Sequence, residues 1–347
     1  MEKSSGGETI LKNLNKPAFI VADGTITQVN PAAAQRFAET GMRAVDLIAT
    51  GSEEYAAFHS GNLYLNICLA GTQYPCSISV LPEGQLFIIE EDTARAELQA
   101  LALASQQLNM PVSEISLLVD KLSGIDNEDK AKINQNLFRL RRMLNNMADA
   151  AQLSVNAPRL TGCEMCSVFE EILEKAGTLL SQNNIPLQYR LPNHCVYSSA
   201  SPELLRRAVY NLISNAAKFS PAGSAIEATL THTDKRLLFS VTSSLDRGLA
   251  GGNLFSRYTR QPGLEDPRLG LGLGMTLIHA AATAHGGTVL WEELPGSKLR
   301  ITMSLSIKQG TSSDVRSPVL IPDIYAGSDQ ALIELSDVLD YHLYSKL

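Results

Sequence analysis

The spacing of apolar positions changes character three times along this chain. From 15 to 92 the apolar residues come in short runs. PAFIVAD (17–23) and ITQVN (26–30) flank Asp23-Gly24, a turn pair that predicts a hairpin. NPAAAQRFAE follows with an Asn cap and a proline in its first turn, and predicts a helix. NLYLNICLA, CSISVLP and GQLFIIEE read as three further strands, the first two divided at Gly71-Thr72. From 93 to 155 the rhythm lengthens. Leu98, Leu101, Ser105, Leu108, Val112, Ile115, Val119 and Leu122 recur in steps of three and four. After the turn SGIDNED, the residues Ile133, Leu137, Leu140, Leu144, Met147 and Ala151 keep the same rhythm. Two amphipathic helices cannot close a core alone, so the seam predicts a homodimer with a four-helix bundle at its centre.

From 160 to 308 helical and strand patterns alternate. SVFEEILEKAGTLLSQNN predicts a helix and IPLQYRL a strand. SPELLRRAVYNLISNAAKFSP is a helix opened by a Ser201-Pro202 cap, and AIEATLTHT and RLLFSVTSS are paired strands. MTLIHAAATAHGG is a helix ended by Gly286-Gly287, and TVLWEEL and KLRITMSLSI complete a sheet. This order fits an α/β two-layer sandwich, so the expected class is an α+β multidomain chain. The remainder, 309–347, reads as a polar loop and a final amphipathic helix, SDQALIELSDVLDYHLYSKL.

The 347 residues are 44% hydrophobic and 19% charged, which describes globular material with room for two or three domains. No run approaches the length of a membrane span, and MEKSSGGETILKN lacks the apolar core of an export signal. A cytoplasmic chain is expected. The net charge of −7 argues against nucleic acid as a partner. Five cysteines suit no disulfide framework, and the lone CxxC of Cys163 and Cys166 reads as buried thiols.

The densest chemistry lies in NLISNAAKFS (211–220) and, about sixty residues later, GLGLGM (270–275). Asn211 and Asn215 are four apart on a helix, an arrangement whose amide oxygens suit Mg²⁺, with Asn215 the expected ligand. Lys218 falls near the same face and offers charge to a phosphate. Gly270, Gly272 and Gly274 let the backbone approach a polyphosphate where a helix begins. In this order the two clusters resemble the N box and second glycine box of the ATP-binding domain shared by sensor histidine kinases, Hsp90-type chaperones, gyrases and MutL.

The wider layout resembles a sensor histidine kinase over roughly 15–308. Residues 15–92 resemble a PAS sensory domain, 93–155 the dimerisation hairpin, and 160–308 the ATPase domain; 309–347 form a tail. The resemblance implies ATP and Mg²⁺ as cofactors and a response regulator as partner. It also exposes departures. The string that would carry the phosphoacceptor histidine is here Gln106-Gln107-Leu108-Asn109-Met110-Pro111-Val112. Gln106 stands at the acceptor position, and an amide cannot form phosphohistidine. Gln107 replaces the usual acidic residue, and Met110 the residue that orients a phosphatase water. The family's adenine-binding Asp follows a strand whose register is set here by Phe239 and Val241, so its slot holds Ser243. Asp246-Arg247-Gly248 is a slipped alternative for that motif, and Arg260, in a stretch like the phenylalanine box, stands either near phosphates or on a solvated lid. Three functions are expected to compete. One is a signalling protein that binds ATP without phosphorylating itself and acts by conformational change. Another is a kinase acting on a partner in trans, and the third is a nucleotide-independent interaction module.

Overall fold

The computed structural model describes residues 6–89, 94–122, 124–155, 157–194, 196–245, 273–307 and 330–345. A short helix α1 (Gly6–Asn13) precedes the first hairpin, β1 (Ala18–Ala22) and β2 (Thr25–Val29). Asp23 and Gly24 both have positive φ, 50° and 74°, the twist that a two-residue hairpin turn requires. The expected helix after it closes within one turn, α2 (Pro31–Ala34). Its cap Asn30 accepts from the amide of Ala33 and also from that of Ala18, so the same side chain ties the turn to β1. Two more single turns, α3 (Ala44–Leu47) and α4 (Ser52–Ala56), lead to β3 (Asn62–Leu69), β4 (Thr72–Leu81) and β5 (Gly84–Ile89).

The hairpin follows as α5 (Ala94–Lys121) and α6 (Asn127–Val155). Pro111 lies inside α5 and forgoes the backbone bond to the carbonyl of Gln107, yet the helix runs on. The seam divides into two stripes. Ser105, Val112 and Val119 are buried, whereas Leu108, Ile115 and Leu122 stand about half exposed beside Leu103, Met110, Leu117 and Leu118. The buried stripe packs with Leu144 and Met147 of α6 and with Leu273 and Leu277 of a later helix, so this chain's own residues cover that part of the seam.

The rest of the fold comprises β6 (Thr161–Glu164), α7 (Met165–Ser181), β7 (Leu187–Arg190), β8 (Tyr197–Ala200), α8 (Pro202–Phe219), β9 (Ile226–His232), β10 (Arg236–Ser244), α9 (Leu273–Ala284), β11 (Val289–Leu294) and β12 (Lys298–Ser306). Glu164 caps α7 through the amides of Cys166 and Ser167, and Ser201 caps α8 through that of Leu204. Helices α7, α8 and α9 lay apolar faces on the sheet, with Phe169 against Phe239 at 4.9 Å. Cys163 is buried and Cys166 half-buried, in keeping with structural thiols.

One continuous sheet of ten strands runs β2-β1-β5-β4-β3-β11-β12-β10-β9-β7. The N-terminal five strands meet the rest where β3 pairs antiparallel with β11, Leu63 opposite Leu290 and Tyr64 opposite Val289. Tyr64 crosses that seam. Its ring stands edge-on to His279 of α9 at 4.0 Å.

The tail departs from the expected single helix. Residues 330–345 form α10 (Gln330–Glu334), a turn, and a 3₁₀ segment at Tyr341–Tyr344. Ser336 bonds back to the carbonyl of Ile333, and Asp340 caps the 3₁₀ turn, so local side-chain bonds replace the helix ladder.

Candidate functional site

Helix α8 carries the N-box residues, and tertiary contacts cover it on nearly all sides. Two adjoining stripes can be told apart by what they touch. Leu212, Asn215, Ala216 and Phe219 line a small cavity of about 50 Å³ together with Val241, Ser243, Met275, Leu299 and Ile301. Arg207, Asn211, Ser214 and Lys218 face an ionic network instead. The four-residue step between the asparagines turns the helix about 40° beyond a full turn. Asn211 and Asn215 therefore straddle the boundary, Asn215 toward the cavity and Asn211 toward the network.

In the cavity stripe, the amide nitrogen of Asn215 donates to Sδ of Met275 at 3.4 Å. Ser243 lies across the cavity lining in the buried phase of β10, after Leu237, Phe239 and Val241, and opposite Leu299 of β12. The register read from Phe239 and Val241 thus puts this hydroxyl, 5% exposed, in the lining. An apolar slot with an amide and a hydroxyl in its lining suits a flat heteroaromatic ring that makes a few hydrogen bonds. The amide carbonyl of Asn215 is a hard oxygen donor of the kind Mg²⁺ accepts. Among the described residues no group of three or more His, Cys, Asp or Glu side chains could hold a metal.

Gly274 opens α9 directly against Asn211. A methyl group there would meet Oδ1 of Asn211 at 2.9 Å, too close for an ordinary contact. Glycine therefore lets α9 close onto the N-box helix. Gly270, Gly272, Asp246-Arg247-Gly248 and Arg260 lie outside the described residues.

In the ionic stripe, Oδ1 of Asn211 accepts from Nη2 of Arg142 on α6 at 3.1 Å, and Ser214 accepts from Nη1 at 3.0 Å. Lys218 pairs with Asp337 of the tail at 2.5 Å. Arg207 pairs with Asp149 of α6, and Glu334 lies 3.7 Å from Arg142 and 4.0 Å from Arg207. Burial pushes the carboxyl of Asp149 up to about 7 against the pull of Arg207, and burial likewise raises that of Glu334. Arg142, Asp149, Glu334 and Asp337 carried no motif in the sequence. The available signal was three arginines in RLRRML, more charge than a solvated helix face at this rhythm needs.

Gln106 and Gln107 are exposed on α5, and Met110 is 69% exposed. Of the described histidines, His279 is buried with its pKa lowered to about 3 by desolvation, and His285 accepts from the amide of Ser201. Both are structural. A second, open cavity of about 380 Å³ lies beside the β1–β2 turn and α4, lined in part by Asp23, Tyr55, His59 and Gln85.

Residues 200–309 match the family described as histidine kinase-, DNA gyrase B- and HSP90-like ATPase. The chain is similar to the adaptive-response sensory kinase SasA of Synechocystis sp., 26% identical over 63% of this chain and 63% of that protein. It is 30% identical to the sensor protein QseC of Salmonella typhimurium over 56% of this chain and 41% of that one. It is 25% identical to the sensor protein KdpD of Clostridium acetobutylicum over 58% of this chain. The chain spans from 23% to 63% of the length of these relatives. Its fold resembles that of full-length ShkA solved in complex with AMPPNP, with a TM-score of 0.51 and 17% identity over 61% of this chain and 47% of that one. No helix among the described residues is long and apolar enough to cross a membrane.

Proposed function

We propose that this chain, which belongs to the sensor histidine kinase family, is a signalling protein that binds ATP with Mg²⁺ but does not phosphorylate itself. The observation that carries the reading is the shared cavity of Asn215 and Ser243 inside the region matched to the ATPase family. In this reading the apolar walls take the adenine ring, and the Ser243 hydroxyl accepts from its amino group without charge assistance. Asn215 supplies an oxygen to the metal, and Lys218 supplies charge to the phosphates. Bound Mg²⁺ would neutralise phosphate charge.

The hairpin offers Gln106 where a phosphoacceptor would stand. Its amide, although exposed, has no nucleophilic nitrogen to receive a phosphoryl group. Output is then conformational, through the relation of the ATPase domain to the hairpin. The half-exposed apolar stripe of Leu108, Ile115 and Leu122 supports a homodimer, and the same helices offer a response regulator a surface. Residues 15–92 act as a PAS-like sensory unit joined to the ATPase sheet at β3–β11.

The test is a titration of the chain with ATP and Mg²⁺, repeated with Asn215→Ala. Saturable binding in the parent and at least tenfold weaker binding in the variant are expected. No binding at millimolar ATP, either by the chain as it stands or with the Lys218–Asp337 pair broken by Asp337→Asn, would refute the reading. Radiolabelled ATP should leave no label on the chain itself. Label on an added response regulator would instead favour a kinase acting in trans.

A further inference from the structure

The C-terminal segment 330–345 is built into the body of the chain. Ala331, Ile333, Leu335, Leu339 and Tyr344 are buried in the same core as α7 and α8. Tyr344 stands edge-on to Phe138 of α6 at 5.1 Å, and its hydroxyl donates to the carbonyl of Leu332. Polar side chains of α6 hold the segment's backbone. Gln135 donates to the carbonyl of Leu339 at 2.6 Å, Asn134 to that of Tyr344 at 3.1 Å, and Arg139 to that of Ser336 at 3.2 Å. Asn183, just beyond α7, donates to the carbonyl of Val338. Such a set of directed bonds fixes where each acidic side chain of the segment falls.

Two of those acidic side chains, Glu334 and Asp337, fall on the cations of the N-box stripe. The carboxylate of Asp337 takes Lys218 and Arg142 at once, each at 2.5 Å. Arg142 also reaches Asn211 and Ser214, so one guanidinium links α6, α8 and the tail. Lys218 and Asp337 are both largely buried, with 9% and 13% of their side chains exposed. A carboxylate held there has the charge and the oxygen geometry of a phosphate edge. Lys218 stands three residues from Asn215, and therefore next to the cavity stripe on the same helix.

We propose that segment 330–345 is an autoinhibitory latch: Asp337 holds Lys218 as a stand-in for a nucleotide phosphate, so a docked tail and a bound polyphosphate oppose each other. This rests on the nucleotide reading of the Asn215 cavity. The latch also spans α6 and α8, so releasing it loosens the ATPase domain from the hairpin. By reciprocity, whatever nucleotide loses in affinity to the docked tail, the tail loses in docking to bound nucleotide.

Two measurements on the full chain test this. A fluorescent ATP analogue with Mg²⁺ is titrated into the parent and into Asp337→Asn, which keeps the side-chain shape and removes the charge. The variant is expected to bind about tenfold more tightly, within the usual range for coupled sites. Separately, amide hydrogen exchange of 330–345 in the unaltered chain is expected to speed up on adding ATP and Mg²⁺. The second measurement holds even if the variant fails to fold. Equal affinities together with unchanged exchange would overturn the latch while leaving nucleotide binding intact. No binding by either protein at millimolar nucleotide would overturn the latch and the nucleotide reading together. Binding by Asp337→Asn alone would establish the latch in its strongest form.

Discussion

Replacing Asp149 with Asn should stabilise this protein at alkaline pH, contrary to the usual result of breaking an ion pair. Asp149 lies on α6 against Arg207 of α8, with 19% of its side chain exposed. Burial is the larger influence on its carboxyl and moves the pKa from 3.8 to about 7; Glu334 and Glu203 push the same way, and Arg207 opposes. The folded chain therefore holds this proton more tightly than the unfolded chain does. Unfolding between about pH 4 and pH 7 releases it, so stability from this group is full below about pH 4, falls as pH rises, and is gone by about pH 7. At 1.36 kcal/mol per pK unit, a rise of roughly three units sets a ceiling of about 4 kcal/mol. Partial exposure and relaxation around the site should leave about 1–2 kcal/mol. An amide stays neutral across this range. Removing one partner of a buried pair usually costs about 3–5 kcal/mol because the other is stranded. Arg207 is not stranded, since Glu203 remains at 3.6 Å and Glu334 at 4.0 Å. Urea unfolding followed by circular dichroism at pH 4, 5, 6, 7 and 8 should show Asp149→Asn more stable at pH 7 and 8, with the gap shrinking on acidification and closing near pH 4. A variant less stable at pH 8, with the gap closing toward pH 4, would mean that attraction to Arg207 outweighs burial and would sink the reasoning.

Ser243→Asp should tighten ATP binding roughly five- to tenfold, because a charge-assisted acceptor is worth about 1–1.4 kcal/mol more than the neutral hydroxyl it replaces. Calorimetric titration measures this, and an unchanged or weaker affinity in a folded variant would remove Ser243 from the adenine site. Tyr64→Ala should cost about 3 kcal/mol, since this ring is 6% exposed and crosses from β3 to His279. Thermal unfolding would register the loss, and an undisturbed Tm would show that the β3–β11 seam does not bear on stability.

What could be read from the sequence was set by local rules. Asp23-Gly24 announces its hairpin because few residues tolerate positive φ at both turn positions. Ser243 could be placed because strand alternation is strict and Phe239 and Val241 fix its phase. The heptad of α5 could be found but not apportioned. Its period marks apolar positions without saying that Val112 and Val119 join one core with residues of α6 and α9 while Ile115 stands half exposed. The tail failed for another reason. Its apolar spacing suits a helix, but Ser336 and Asp340 bond to the local backbone where the ladder ends, and Asp337 between them pairs with Lys218 and Arg142. That pull comes from residues about 120 and 195 positions away, beyond the reach of any local pattern.

The N-box helix sets its two asparagines on adjoining stripes. Helical period alone puts Asn211, Asn215 and Lys218 within about 60° of each other, close enough to serve one ligand. Burial of the flanking stripes gives the two asparagines different neighbours. Leu212, Ala216 and Phe219 draw Asn215 to the cavity, and Arg142 draws Asn211 and Ser214 to the hairpin. Lys218 lies at the junction, and its charge is claimed by Asp337. Since the two stripes share one packed helix, a shift that refits the cavity stripe moves the ionic stripe with it. An isolated ATPase domain would lack Arg142, and with it the bond that holds Asn211 in its present place. The arrangement of the N-box helix in this chain is thus set jointly by α6, α8 and the tail, through contacts that the N-box motif does not encode.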